Sequence, residues 1–403
     1  MHPDSRSIHR FFQGLTEVCP VGQLGHVHLI HWPTDPPSPL DALQEAGFYG
    51  KVVVARASLA DAIRHHHPDL TTVLDDHPTS GEVTDHILME LPQGKEAARI
   101  AIDAALASLK PQGRLWLFGE RESGIRSLAK RYSGVETALC KGHLRLLALS
   151  DITTEVPGPK NSPSFCPKED GFVYLKAADI QIATRPGIFS WQAIDPASLL
   201  LLDAIHDAPG EKILDWGCGS GFLGAGLAHR FPELHVVLSD DLVTATRCAR
   251  RTVEINELAP RCEIFTEDGI GRNVSQMRFD AIVTNPPFHR GVRTNHDATM
   301  AFLPAAAAAL NPGGVLWLVG NRLMDYGVLL REHFSHVEER DGDEAFTVWR
   351  GIKTVAKTKG WANKTKEKKT THLYDQWVEV TSGADGDAAL RRQIAEWTKK
   401  SHP

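Results

Sequence analysis

Glu211–Phe231 reads EKILDWGCGSGFLGAGLAHRF. The apolar run Ile213-Leu214 ends at Asp215, and Gly217, Gly219 and Gly221 then lead into Phe222–Phe231, which has helical spacing and carries Gly224 in its first turn. A strand that enters a helix through glycines makes a tight turn and lets a ligand approach the backbone at the strand's C-terminal end. Helix starts and close packing also favour glycine, so the turn gains its meaning from what surrounds it.

The alternation continues downstream. LHVVLSD (234–240), CEIFTED (262–268), FDAIVTN (279–285) and GVLWLVGN (314–321) read as strands. LVTATRCARRTVEIN (242–256) and MAFLPAAAAAL (300–310) read as helices. Near-continuous apolar strands separated by amphipathic helices predict an α/β fold, a mostly parallel Rossmann-like sheet covered on both faces.

At 403 residues the chain is long enough for two domains. Residues 151–170, rich in Pro, Ser and Thr, read as a linker between a domain at 1–150 and another at 171–352, with a tail at 353–403. The two domains resemble each other. ASLKPQGRLWLFGER (107–121) matches AALNPGGVLWLVGNR (308–322) at nine of fifteen positions, and upstream DHILMELPQ (85–93) aligns with DAIVTNPPF (280–288). A shared order of two matches points to a domain-scale duplication, too long in period for a solenoid.

Composition excludes several classes. No apolar run approaches the ~18 residues of a membrane span, and the N-terminus lacks a signal-peptide pattern, so the cytoplasm is the expected compartment. The six cysteines show no C-x-x-C pairing, which argues against a disulfide framework or a cysteine zinc site. Among the 20 histidines, His65-His66-His67 and His26, His28 and His31 are assigned to a polar helix end and a half-exposed strand; no metal is expected. A net charge of −6 leaves room only for local basic patches on a nucleic-acid binder. One is the seven lysines between Lys353 and Lys369, read as a solvated tail; another is Arg121, Arg126, Lys130 and Arg131, equally readable as a solvated helix.

The chemistry concentrates at strand ends. Asp240, or its neighbour Asp241, closes the strand about twenty residues after the glycines, where an acid grips a ribose hydroxyl pair. Asp268, with its neighbouring backbone at Gly269, ends the third strand, within reach of an adenine amine. Asp215 precedes the glycines, where it repels a pyrophosphate and attracts a cationic amino acid. This favours S-adenosylmethionine over a dinucleotide as cofactor. In Asn285-Pro286-Pro287-Phe288, the prolines stiffen the corner. The Asn285 side-chain carbonyl and the Pro286 backbone carbonyl are then acceptors and Phe288 a stacking face. These suit a planar exocyclic amine held in line with a sulfonium methyl.

On these residues the chain resembles the class I S-adenosylmethionine-dependent amino methyltransferases. RPGIFSWQAIDPASLLLLDAI (185–205), IVTNPPFHRG and LWLFGERESGIRSLAK narrow this to the ribosomal RNA guanine-N2 methyltransferases, especially the small-subunit methyltransferase C group. The resemblance implies two fused methyltransferase-like domains of which only the second binds cofactor and reacts. It places Phe189, Ser190 and Asp195 in a segment of the cofactor pocket, although a polar residue before a helix is also a cap. The first domain lacks the glycine turn, and its corner reads Glu90-Leu91-Pro92-Gln93. It is therefore expected to be degenerate, serving folding or RNA capture. The implied partner is ribosomal RNA or a ribosomal subunit, with a flipped or unpaired guanine as target, no membrane, and a monomer as the working unit. Rival readings are a large-subunit RNA enzyme, a release-factor glutamine-N5 or adenine-N6 methyltransferase, and a catalytically idle RNA-binding assembly factor.

Overall fold

The computed structural model describes residues 5–29, 39–77, 83–128, 132, 134–150, 171–286, 302–324 and 326–354. The expected linker and nearly all of the tail lie outside them. The first sheet contains β1 (His26–His28), β2 (Lys51–Val54), β3 (Thr71–Leu74), β4 (Thr84–Glu90), β5 (Leu109–Glu120), β6 (Val135–Lys141) and β7 (Leu144–Leu149). A hairpin follows, β8 (Val173–Ala177) with β9 (Ile180–Thr184). The second sheet contains β10 (Lys212–Trp216), β11 (His235–Asp240), β12 (Cys262–Thr266), β13 (Phe279–Thr284), β14 (Leu310–Asn321), β15 (His336–Gly342) and β16 (Phe346–Ile352).

The strand orders are β3-β2-β1-β4-β5-β7-β6 and β12-β11-β10-β13-β14-β16-β15. Each strand of the second sheet occupies the place of the strand nine labels earlier, the layout of a duplicated domain. Five strands of each sheet run parallel and the last two pairings are antiparallel.

Alternation sorts the side chains of each sheet to two cores. In the first, Leu88, Trp116 and Phe118 join Phe11, Phe12 and Leu15 on one face, while Ile87, Met89, Leu115 and Leu117 meet Ile102 and Ala105 on the other. The second sheet repeats this with Ala281, Val283, Trp317 and Val319 against Leu201 and Phe222, and Ile282, Leu316 and Leu318 against Leu303 and Tyr326. Strands buried on both faces explain the near-continuous apolar runs.

The assignment of His26 and His28 to a half-exposed strand is corrected. β1 is an interior strand of the first sheet, paired on both sides, and His28 is fully buried with no hydrogen bond to either ring nitrogen among the described residues. Burial holds that ring's pKa down, at about 3, so it is neutral and packs as a core group. The sequence pattern misleads because a buried neutral imidazole reads as a polar residue. His65 and His66 do end the helix Ala57–His66 with both side chains exposed, but His67, which follows them, is buried against Gln44. No helix among the described residues is long and apolar enough to cross a membrane.

Candidate active site

β10 ends at Asp215 and Trp216, and the chain then turns through Gly217, Gly219 and Gly221 with φ of 71°, 55° and 78°. These left-handed values are free for glycine and strained for other residues. A Cβ added at Gly217 or Gly219 would meet nothing within 4 Å, so the turn borders open space at the strand ends. Asp215 lies beneath it, 1% exposed. Its Oδ2 accepts the Gly224 N–H at 2.8 Å, while its Oδ1 is buried and makes no hydrogen bond among the described residues. Burial pushes this carboxyl up to about 7, against the Gly224 hydrogen bond and with help from Asp240. An unpartnered buried carboxylate oxygen is costly, and a cation brought beside it relieves the cost.

The two acids that close β11 divide their roles. Asp240 Oδ2 accepts from Gly219 N and Oδ1 from Leu242 N, both at 2.9 Å, which ties it to the glycine turn. Burial raises its pKa, opposed by those two hydrogen bonds and by the charge of Arg56. Asp241 points instead to the first domain, accepting from Ser58 N at 2.7 Å and pairing with Arg56 at 2.9 Å. Asp268, one strand over, is raised by burial and by the charge of Asp241. Gly269 takes φ of 57°, and a Cβ there would lie 2.8 Å from the Trp216 ring, so tight packing alone demands glycine. Glu267, which the sequence reading passed over, accepts from Asn273 N and Val274 N and shapes the loop after β12.

The corner after β13 is described as far as Pro286; Pro287 and Phe288 lie outside the described residues. Asn285 Nδ2 donates to Asp195 Oδ2 and to Ser198 Oγ, each at 2.8 Å. A carboxylate only accepts, so the NH₂ end of the amide must face Asp195 and the carbonyl must face away. That carbonyl, Oδ1, is buried and accepts no hydrogen bond among the described residues. Asp195 also caps the helix Pro196–Ala204 by accepting from Ser198 N at 2.9 Å. It is thus both the cap that the sequence allowed and the group that orients the Asn285 amide. Ser198 was missed; a small polar residue inside an apolar helix, Pro-Ala-Ser-Leu-Leu-Leu-Leu, was the available signal.

Two sequence-predicted residues sit apart from these contacts. Phe189 is 57% exposed and Ser190 adopts φ of 51°. No hydrogen bond among the described residues joins either to the glycine turn. In the first domain, Glu90 follows Met89, which pairs with Leu117 as Thr284 pairs with Leu318, so Glu90 occupies the place of Asn285. Its carboxyl is raised well above the usual range by burial and by Glu120. Arg121 and Arg126 are exposed, whereas Lys130 and Arg131 lie outside the described residues.

Known proteins with this arrangement place the chain. The model for the methyltransferase small domain matches residues 179–350, and that for its N-terminal companion domain matches residues 34–142. Ribosomal RNA small subunit methyltransferase C of Hahella chejuensis is 30% identical over 279 residues, covering 67% of this chain and 78% of that protein. The chain belongs to the ribosomal RNA small subunit methyltransferase C family. The family's protein from Stutzerimonas stutzeri is 32% identical over 275 residues, covering 67% of this chain and 80% of its own length. Among solved structures, the T. thermophilus 16S rRNA N2 methyltransferase in complex with AdoMet and guanosine is 25% identical with a TM-score of 0.69. That likeness covers 86% of this chain and 91% of the other. In this family frame the two seven-stranded sheets are the paired methyltransferase-like domains, and the glycine turn and Asn-Pro-Pro corner fall in the second.

Proposed function

We propose that this protein transfers the methyl group of S-adenosylmethionine to the exocyclic N2 amine of a guanine in 16S ribosomal RNA. The observation that carries the reading is the Asn285 amide, locked by Asp195 and Ser198 with its carbonyl unsatisfied at the end of β13. A guanine N2 has its lone pair spread into the ring and is a weak nucleophile. An acceptor fixed before the substrate arrives orients the amine and stabilises the positive charge that grows on nitrogen.

The residues present suit the cofactor. When bound, S-adenosylmethionine supplies an electrophilic methyl on a sulfonium. Asp215 Oδ1 receives the ammonium of its amino-acid portion. Gly217 and Gly219 admit it close to the backbone, and Asp240 accepts from the ribose hydroxyls with lone pairs that its two backbone hydrogen bonds leave free. Asp268, with the backbone at Gly269, borders the adenine. Asn285 Oδ1 and the Pro286 carbonyl would accept hydrogen bonds from the two N2 hydrogens. Pro287 stiffens the corner and Phe288 stacks on the base. Phe189 and Ser190 are assigned to the cofactor pocket by the family resemblance alone. A base inside a helix cannot reach these groups, so the target guanine is flipped or unpaired.

The first domain carries Glu90 where the second carries Asn285 and has no glycine turn, so it does not catalyse. We assign it, at 1–150, to folding and RNA capture, with 151–170 as linker, 171–352 as catalytic domain and 353–403 as basic tail. The working unit is a cytoplasmic monomer acting on ribosomal RNA or the ribosomal subunit.

Incubating the protein with methyl-labelled S-adenosylmethionine and, separately, unmodified 16S and 23S RNA, ribosomal subunits, release factor and DNA tests the reading. Label on guanine N2 of 16S RNA or of the small subunit is expected. Label on release factor or DNA alone overturns it.

A further inference from the structure

The crevice at the ends of β10, β11 and β12 is finished by the other domain. The loops after β2 and after β11 are the same loop in the two copies of the fold, and they pair with each other. Arg56 and Leu242 form an antiparallel bridge, in which Ala57 N donates to Asp241 O and Val243 N to Ala55 O, both at 2.9 Å.

Side chains reinforce this seam. The helix Ala57–His66 begins at Arg56 with no side-chain cap of its own. Asp241, across the seam, fills that role by accepting from Ser58 N at 2.7 Å and from Ser58 Oγ at 2.9 Å. Arg56 Nη1 closes on Asp241 Oδ2 at 2.9 Å. On the other side of the same loop, Asp240 accepts from Leu242 N and from Gly219 N. A continuous set of short contacts therefore runs from Arg56 and Ser58 through the loop at 240–242 to the glycine turn. Charge follows the same line. Asp240, Asp241 and Asp268 bring three carboxylates to neighbouring strand ends, and the Arg56 guanidinium acts on all three.

We propose that Arg56, from the catalytically silent domain, is a positioning residue of the S-adenosylmethionine site. It pins Asp241 and balances the acid cluster, so that Asp240 and the glycine turn are held in the geometry that binds cofactor. The inference rests on the cofactor assignment made above. It makes cofactor affinity, rather than the chemical step, depend on the docked first domain. A residue that acts on the ground-state binding of cofactor changes Kd and KM and leaves the turnover of the saturated enzyme in place.

The test uses the full chain. Isothermal titration with S-adenosylmethionine and methyl-transfer kinetics are compared for the natural protein, Arg56→Met, Arg56→Lys and Ser58→Ala. Arg56→Met is expected to raise both Kd and KM for cofactor about tenfold, with kcat at saturating cofactor within about twofold of the natural value. Arg56→Lys is expected to recover part of the loss because it restores the charge without the planar fork. A folded Arg56→Met that binds cofactor as the natural protein does overturns the proposal, as does a fall in kcat at unchanged KM. Should Arg56→Met fail to fold, Ser58→Ala decides the matter by the same titration: it is expected to weaken cofactor binding about threefold, and unchanged affinity overturns the proposal. A natural protein that binds no S-adenosylmethionine instead overturns the cofactor assignment beneath it.

Discussion

At the Asn285 position, two side chains some ninety places earlier in the sequence choose which end of an amide faces the crevice. The choice follows from donor and acceptor chemistry, since Asp195 has nothing to donate. Asn285→Ala removes the oriented acceptor and is expected to lower kcat about 100-fold, the order of loss seen when one preorganised polar group is deleted from a catalytic site. Calorimetry should show cofactor affinity unchanged, and loss of both together would argue against the role given to Asn285. Asp215 yields a second expectation. Its carboxyl titrates at about 7, and only the ionised form attracts an ammonium. Lowering the pH through about 7 should therefore weaken S-adenosylmethionine binding, and binding near neutrality should release protons. Titrations in buffers of different ionisation enthalpy would measure that release, and Asp215→Asn should abolish it.

Among elements, the long strands β5 and β14 show what the repeated Leu-x-Pro-x-Gly-x-Leu-Trp-Leu frame preserves. Each has a register irregularity near its start, against β4 between Thr84 and His86 and against β13 between Phe279 and Ala281. At the irregularity a Cβ on Gly113 would lie 2.9 Å from Lys110 O and 3.1 Å from Asp85 O. On Gly314 it would lie 2.9 Å from Asn311 O and 3.1 Å from Asp280 O. The frame is thus the signature of a backbone bulge that only glycine fits, which holds it in both copies while the corner at Glu90 and Asn285 diverges. Gly314→Ala pushes against two carbonyls that cannot yield cheaply. It should cost about 1–3 kcal/mol of stability, read as a lower urea midpoint at unchanged slope.

For the molecule as a whole, the duplication supplies an interface as well as a second sheet. Beside the Arg56–Asp241 contact, Arg247 pairs with Asp75 at 2.9 Å and with Asp76, which also accepts from Thr244 Oγ1 at 3.1 Å. Burial opposes the charge of Asp76, yet His77, Arg247 and Arg185 hold its carboxyl below the ordinary value. Arg247→Met would remove one of several partners of that buried charge and, because the Arg247 side chain is partly exposed, should cost about 1 kcal/mol, measurable by urea unfolding. Of these seam partners the sequence singles out only Asp241, and for another role. No local pattern singles out Asp75, Asp76 or Arg247, because a charge pair separated by 171 positions leaves no local period.

The sequence by itself determined the sheet class, the duplication, the glycine turn and the stiffened Asn-Pro-Pro corner. The duplication shows as a repeated order of residues; the others are local properties of the backbone: strand and helix periodicity, left-handed φ at Gly217, Gly219 and Gly221, and proline's fixed φ. Only the tertiary structure decided which of Asp240 and Asp241 serves the glycine turn and which serves the other domain. It also buried His28 in an interior strand and made Asp195 and Ser198 the keepers of the Asn285 amide. Those outcomes depend on hydrogen-bond partners and solvent exclusion brought together from distant segments, which no spacing along the chain can encode.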